Sequence, residues 1–170
     1  YADDDFLNSK IIIFGGDEIN CEKLSHFYKN YTRCKCIDHV MTDSITASLI
    51  KYTINSFLAL KVIFFNEIKS VFDGSNTQNS WLDFIHAISK DKRIGDSHMH
   101  VPGPDGRYGF GGPCFPKDVN ALIDYSREIG HELSLLKKAN SINNNIRAEY
   151  NEVFEREEEQ NIKFKSYKEE

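Results

Sequence analysis

Cys114 stands where a glycine-rich stretch gives way to a helical pattern opening at Pro116. The first N–H groups of a helix lack partners within it and favour negative charge, so a thiol placed there becomes a better nucleophile. Lys117 adds positive charge, and Asp118, four residues on, shares a helical face with Cys114. A thiolate beside a carboxylate is repulsive unless one of them handles protons or water for the other's chemistry. The alternative is a half-buried structural cysteine next to an ordinary first-turn aspartate, and on physical grounds alone both readings stay open. Lys51 and Asn55 form a second pair, again four apart, among the apolar residues Ile54, Phe57 and Leu58. An ammonium beside an amide can polarise a carbonyl or stabilise an alkoxide. Taken alone, the same pair reads as a snorkelling lysine and a solvent-facing amide.

The elements that must position these side chains follow from spacing. Lys10 to Phe14 is a β-branched run closed by Gly15 and Gly16, the pattern of a buried strand ending in a turn. Residues 19–31 suit a helix, and residues 34–40 read as a second short strand that would put Cys34 and Cys36 on one face. Two strands alone make no stable sheet, so this opening reads as the remnant of a larger α/β domain. Thr42, Asp43 and Ser44 then offer caps for a helix whose apolar stripe runs from Ile45 to Phe72 and stops at Gly74. A helix that long needs a partner along its length, and we expect a dimer spine over 44–73. Asn76 to Ser80 can cap a second helix from Trp81 to Ile88. Residues 93–113 hold six of the ten glycines and three of the four prolines, which predicts a long irregular loop of the functional kind. Helices follow from Pro116 to Gly130 and from near Glu132 toward the C-terminus, and the glutamate-rich tail after Arg147 reads as solvated or frayed helix. The expected fold is mainly α: a helical bundle around one long dimerisation helix, preceded by a small α/β remnant of a nucleotide-binding Rossmann domain. The divisions fall at 1–41, 42–147 and 148–170.

Composition bounds the function. With 170 residues and a net charge of −5, the chain has no basic field to draw nucleic acid or an anionic membrane. The apolar stretch Ile50 to Phe65 is broken by Lys51 and Lys61 and reads as too short and too charged to cross a bilayer. No secretory signal is visible, so a cytoplasmic setting without disulfides is expected. Cys34-x-Cys36 and His98-x-His100 invite a zinc reading, but neither spacing is that of a common structural site, and no metal is expected. No G-x-G-x-x-G turn occurs in the sequence, so a dinucleotide pocket of its own is not expected.

Three ordered motifs then carry a resemblance. Gly109-Phe110-Gly111-Gly112-Pro113-Cys114-Phe115-Pro116-Lys117-Asp118 resembles the nucleophile motif of UDP-glucose 6-dehydrogenases, Lys51 to Ala59 their lysine–asparagine helix, and Asp91 to Gly95 the approach to their substrate loop. Asp5 to Asn8 with Ile11 to Gly16 resembles the end of the family's nucleotide-binding domain. The resemblance covers residues 2–147. Phe115 after the cysteine favours the UDP-glucose branch over the GDP-mannose branch, Pro113 stands where serine is common, and the loop from Val101 to Gly106 is longer than in many relatives.

What the resemblance implies is an NAD-dependent oxidation of a UDP-sugar primary alcohol to a carboxylate in two hydride transfers. Cys114 would attack the intermediate aldehyde, giving a thiohemiacetal and then a thioester. Lys51 and Asn55 would bind substrate and stabilise the oxyanion or bind a water near it, and Asp118 would assist proton transfer and hydrolysis. Lys117 would contact the cofactor pyrophosphate. Arg93 would reach substrate in a neighbouring subunit of a homodimer, and His98, Phe110 and Gly111 would line the sugar-nucleotide pocket. The domain that holds NAD and the family's C-terminal UDP-binding domain are not seen in the sequence, so the chain by itself is expected to be inactive. The alternative is a truncated or repurposed, non-enzymatic dimerisation module of the same family.

Overall fold

Local sequence accounts for most element boundaries in the computed structural model, which describes residues 2–36, 38–152 and 154–166, the side chains of residues 2, 3 and 5 excepted. The chain divides into two units, Tyr1–Lys51 and Tyr52–Glu170. In the first, α1 (Ala2–Leu7) leads into β1 (Ile11–Gly15), α2 (Glu18–Tyr31) and β2 (Asp38–Thr42). Asp17 caps α2 by accepting from the Asn20 N–H at 3.2 Å. The strands pair in parallel, Ile11 opposite Asp38 through Gly15 opposite Thr42, so β1-α2-β2 is a crossover unit. Phe14 is buried, with the rings of Tyr28 and His39 edge-on to it at 5.4 and 5.2 Å. A methyl group on Gly15 would overlap the Ala47 side chain, so glycine lets the following helix start close to the end of β1.

The strand expected over 34–40 lies further on, at Asp38–Thr42. Cys34 and Cys36 fall outside it, their thiols hydrogen-bonded to the carbonyls of Phe6 and Asp38 at 3.3 and 3.5 Å. Parallel pairing with β1 selects the later segment, a tertiary preference that overrides the local pattern.

α3 (Ser44–Gly74) is a single helix of 31 residues, about 45 Å long. Asp43 caps it, accepting from the N–H groups of Ile45 and Thr46 at 3.0 and 2.9 Å. By length and composition alone it is apolar enough to cross a membrane. Lys51 and Lys61 therefore interrupt the apolar run without disqualifying it, contrary to the expectation from Ile50 to Phe65.

In the second unit, the remainder of α3 is joined by α4 (Trp81–Ser89), α5 (Phe115–Glu128), α6 (Ser134–Arg147) and the short α7 (Glu155–Glu159). Ser80 caps α4 through the Asp83 N–H at 3.1 Å, as its position before Trp81 suggests. Ala59 and Ile63 of α3, Val119 and Ile123 of α5, and Leu136 and Ala139 of α6 form one buried core that Phe110 completes. A second cluster joins Phe65, Ile85, Met99 and Val101. The architecture is thus mainly α with a two-stranded parallel remnant.

The C-terminal expectation needs correction. α6 stops at Arg147, and the tail beyond is not simply solvated: Glu157 is 1 % exposed. A carboxylate buried that deeply needs a cation and a donor, and Arg147 and the Gly112 N–H supply them. Because Ile63 sits in the core shared by three helices, Ile63→Ala is expected to lower stability by about 2–5 kcal/mol in chemical denaturation; an unchanged midpoint would contradict this packing.

Candidate active site

The segment between α4 and α5 is irregular but tied down at each step. Lys61 donates from Nζ to the Ile94 carbonyl at 2.9 Å. Gly109 N–H donates to Asn66 Oδ1 at 3.0 Å. Asn143, fully buried on α6, closes a two-point clamp on Phe110: its Oδ1 accepts from the Phe110 N–H at 2.6 Å, and its Nδ2 donates to the Phe110 carbonyl at 3.0 Å. Gly112 N–H donates to Glu157 Oε1 at 2.8 Å. Gly109 and Gly112 have φ of 73° and 72°, a region that favours glycine. A side chain on Gly111 would overlap both the Arg147 guanidinium and the Glu157 carboxylate.

This loop delivers Cys114 to the N-cap of α5, exposed and with Pro116 in the first turn. The Cys114 carbonyl accepts from the Asp118 N–H at 3.0 Å, the opening bond of the helix. The Asp118 carboxylate is buried, yet Asn55 Nδ2 donates to one oxygen at 2.6 Å and Lys117 Nζ to the other at 2.8 Å. The Asp118 carboxylate is the chief reason the Lys117 pKa is raised, and Cys114 and Tyr52 add smaller contributions of the same sign. Four of the residues singled out from sequence, Asn55, Cys114, Lys117 and Asp118, are therefore gathered around the start of α5. Lys51 is exposed on α3, one turn before Asn55.

His98, Phe110 and Gly111 line one cavity of about 470 Å³, and Gly112 and Phe115, which flank Pro113 and Cys114 in the chain, also border it. That is within the usual range for small-molecule sites. His98 has φ 62° and rests against the Phe115 ring at 5.3 Å, with Nδ1 buried and unpartnered. Burial, reinforced by Lys61, lowers its pKa below 6.5. Phe110 keeps its ring in the core while its backbone borders the cavity. Arg93 belongs to another surface: it is exposed, engages Asp91 at 2.6 Å, and borders an apolar groove of about 820 Å³ between α3, α4 and α6.

Asn66, Asn143, Arg147 and Glu157 organise the loop without having been assigned a role from sequence. Asn143 and Arg147 carried a signal, since they continue the buried stripe Leu136–Ala139 at helical spacing. A polar residue on an apolar stripe must find a buried partner. Glu157 carried none, because its partners lie ten and forty-five residues away. Among the described residues, no three His, Cys, Asp or Glu side chains gather as a metal site would require. The fit to NAD is limited to one contact: Lys117 is a half-exposed cation at the start of α5, suited to a pyrophosphate. The turn between β1 and α2 does not fit one, because the Asp17 carboxylate already occupies the start of α2.

Residues 45–145 match the model of the UDP-glucose/GDP-mannose dehydrogenase family, central domain. The chain belongs to this family. It is 32 % identical over 145 residues to a UDP-glucose 6-dehydrogenase of Bacillus subtilis, covering 85 % of this chain and 30 % of that protein. It is 38 % identical over 123 residues to the UDP-glucose 6-dehydrogenase of Rickettsia conorii, covering 71 % and 26 %. A solved UDP-glucose dehydrogenase from the hyperthermophilic archaeon Pyrobaculum islandicum superposes with a TM-score of 0.65 at 30 % identity, covering 82 % of this chain and 30 % of that one. The chain thus spans under a third of the length of these UDP-glucose dehydrogenase relatives. The family match begins in α3 and ends in α6, and it contains the Asn55–Asp118 pair, the glycine loop and Cys114.

Two outcomes follow from this geometry. Gly111→Ala should lower the thermal midpoint, by about 1–3 kcal/mol in stability, whereas Gly74→Ala, with open space around it and an ordinary φ, should be neutral or slightly stabilising; equal melting of the two variants would contradict the close approach. His98 binds its proton less readily when folded, so the unfolded chain takes up a proton that the folded chain refuses as pH falls through about 6.5. Stability is therefore expected to drop below that pH more steeply in the wild type than in His98→Asn, read as urea midpoints at neutral and mildly acidic pH; asparagine also tolerates the left-handed backbone there.

Proposed function

We propose that this chain supplies the catalytic centre of an NAD-dependent UDP-glucose 6-dehydrogenase, acting in the cytoplasm as a homodimer and together with domains like those that complete its longer relatives. The observation that carries the reading is the bond from Asn55 to Asp118 at 2.6 Å, which joins the amide of α3 to the first turn of the helix that Cys114 caps. When bound, NAD supplies the hydride acceptor for both oxidations of the sugar C6.

The chain's own residues do the rest. The cavity lined by His98, Phe110 and Gly111 takes the sugar nucleotide and presents C6 toward Cys114. Cys114 Sγ attacks the C6 aldehyde, forming a C–S bond while the carbonyl π electrons move onto oxygen. Asn55, and by family resemblance Lys51, stabilise that oxyanion. The carbon is held as a thiohemiacetal and, once oxidised, as a thioester. Asp118, held by hydrogen bonds from Lys117 and Asn55, directs the water whose oxygen replaces sulfur, returning the thiol and releasing the carboxylate. Arg93 reaches substrate across the subunit boundary. The exposed apolar residues Phe57, Phe64 and Val71 on α3 support pairing with a second copy.

The test joins this chain to the flanking domains of the Bacillus relative and follows NADH formation with UDP-glucose. Cys114→Ser is expected to abolish uronate production while the chimera stays folded; undiminished production would end the proposal. The 170-residue chain alone is expected to give no NADH, and turnover by it would overturn that part of the reading. Sedimentation should show a dimer, and a strict monomer at high concentration would remove the pairing role of α3. A folded dimer in which the chimera has no activity, with or without Cys114, would favour a purely structural module.

A further inference from the structure

We propose that residues 150–152 and 154–164, beyond the family-matched segment, form a strap that sets the position of the glycine loop, with Glu157 as the positioning residue for Cys114. Two buried arginines fasten the strap. Arg107, in the loop, donates to the Glu152 carbonyl at 2.6 Å and lies over the rings of Phe154 and Tyr150 at 4.1 and 5.0 Å. Arg147, at the end of α6, donates to Asp105 Oδ2 at 2.6 Å and to Glu157 Oε1 at 2.9 Å, with the rings of Phe164 and Tyr150 at 5.4 and 5.9 Å. Tyr150 Oη also accepts from the Tyr108 N–H at 3.0 Å. Arg147 thus joins the loop, through Asp105, to the strap, and the Arg107 guanidinium reaches from the loop into the strap.

Glu157 is where the strap meets the site. The Oε1 that receives Arg147 also receives the Gly112 N–H at 2.8 Å, and Oε2 receives the Phe154 N–H at 3.4 Å. Gly112 is two residues before Cys114 and has φ 72°, and the Glu157 carboxylate accepts from its N–H in that left-handed conformation. Glu157 does not touch Cys114. It acts through Gly112, and its oxygen anchors the last turn of the loop between the Phe110 clamp and the helix start. In the dehydrogenase reading, this would set how the nucleophile meets its carbon. The positional claim itself stands or falls without any turnover.

The experiment measures site-resolved alkylation of the 170-residue chain by iodoacetamide, with peptide mapping. Cys34, half-buried in the first unit, serves as the internal reference. Glu157→Ala is expected to change the Cys114 rate about threefold or more, with the Cys34 rate unchanged. Glu157→Gln keeps an oxygen for the Gly112 N–H and loses the ion pair with Arg147, so its Cys114 rate should return to near wild type although its Tm falls. An unchanged Cys114 rate in folded Glu157→Ala overturns the proposal. So does a Glu157→Gln rate displaced as far as that of Glu157→Ala, which would make the residue a stabiliser and nothing more. If Glu157→Ala does not fold, amide exchange on the unaltered chain decides: protection of the Gly112 amide about tenfold or more beyond exposed amides of the same loop supports the strap, and its absence overturns it. None of these readings depends on NAD or a sugar, so a failed dehydrogenase assay and a failed strap are separate results.

Discussion

A carboxylate that is 1 % exposed must be neutralised and hydrogen-bonded, or the fold around it fails. Asp118 is such a group, and its solution organises the second unit of the chain. One oxygen takes the Asn55 amide from the long helix, the other takes the Lys117 ammonium, and the residue's own N–H opens α5 against the Cys114 carbonyl. The polar bond joins the same two helices whose Ala59 and Val119 share the apolar core. Moving α3 relative to α5 would strand a charge, so the distance between the two helices is fixed by electrostatics as well as by apolar burial. Cys114 inherits that rigidity, because it is the residue at which α5 starts.

The glycine loop obeys the same accounting in neutral form. Its N–H groups cannot pair within a regular ladder, so side chains from three elements pair them: Asn66 from α3, Asn143 from α6 and Glu157 from α7. Glycines are needed where this happens because the partners come close. At Gly111 there is no room for a methyl group beside the Arg147–Glu157 pair. A loop so constrained is suited to holding a reacting sulfur, since small displacements of a nucleophile cost large factors in rate.

Much of this was legible in the sequence. The stripe from Ile45 to Phe72, the cap at Ser80 and the step from glycines to Pro116 located α3, α4 and α5, because periodicity, capping and proline placement are local properties. The pairs Lys51–Asn55 and Cys114–Asp118 were also visible, though not the bond between Asn55 and Asp118, since that depends on how α3 and α5 pack. The failures at Cys34, Cys36 and Glu157 were tertiary. Cys34 and Cys36 looked like strand residues until β1 chose Asp38–Thr42 as its partner. Glu157 sat in a run of glutamates that resembles a solvated face, and only the turn after Arg147 reveals its buried partner. Phe110 was expected at the pocket and does border it, but its ring belongs to the core.

The account's central claim is that Cys114 carries the sugar carbon covalently while Asp118 brings water to it. The most direct measurement is the mass of the Cys114 peptide after acid quench of the completed chimera bearing Asp118→Asn, incubated with UDP-glucose and NAD. The expected result is a UDP-glucuronyl thioester on Cys114, accumulated because its hydrolysis is slowed. An unmodified Cys114 in a variant that still forms uronate, or an adduct on another residue, would contradict the claim.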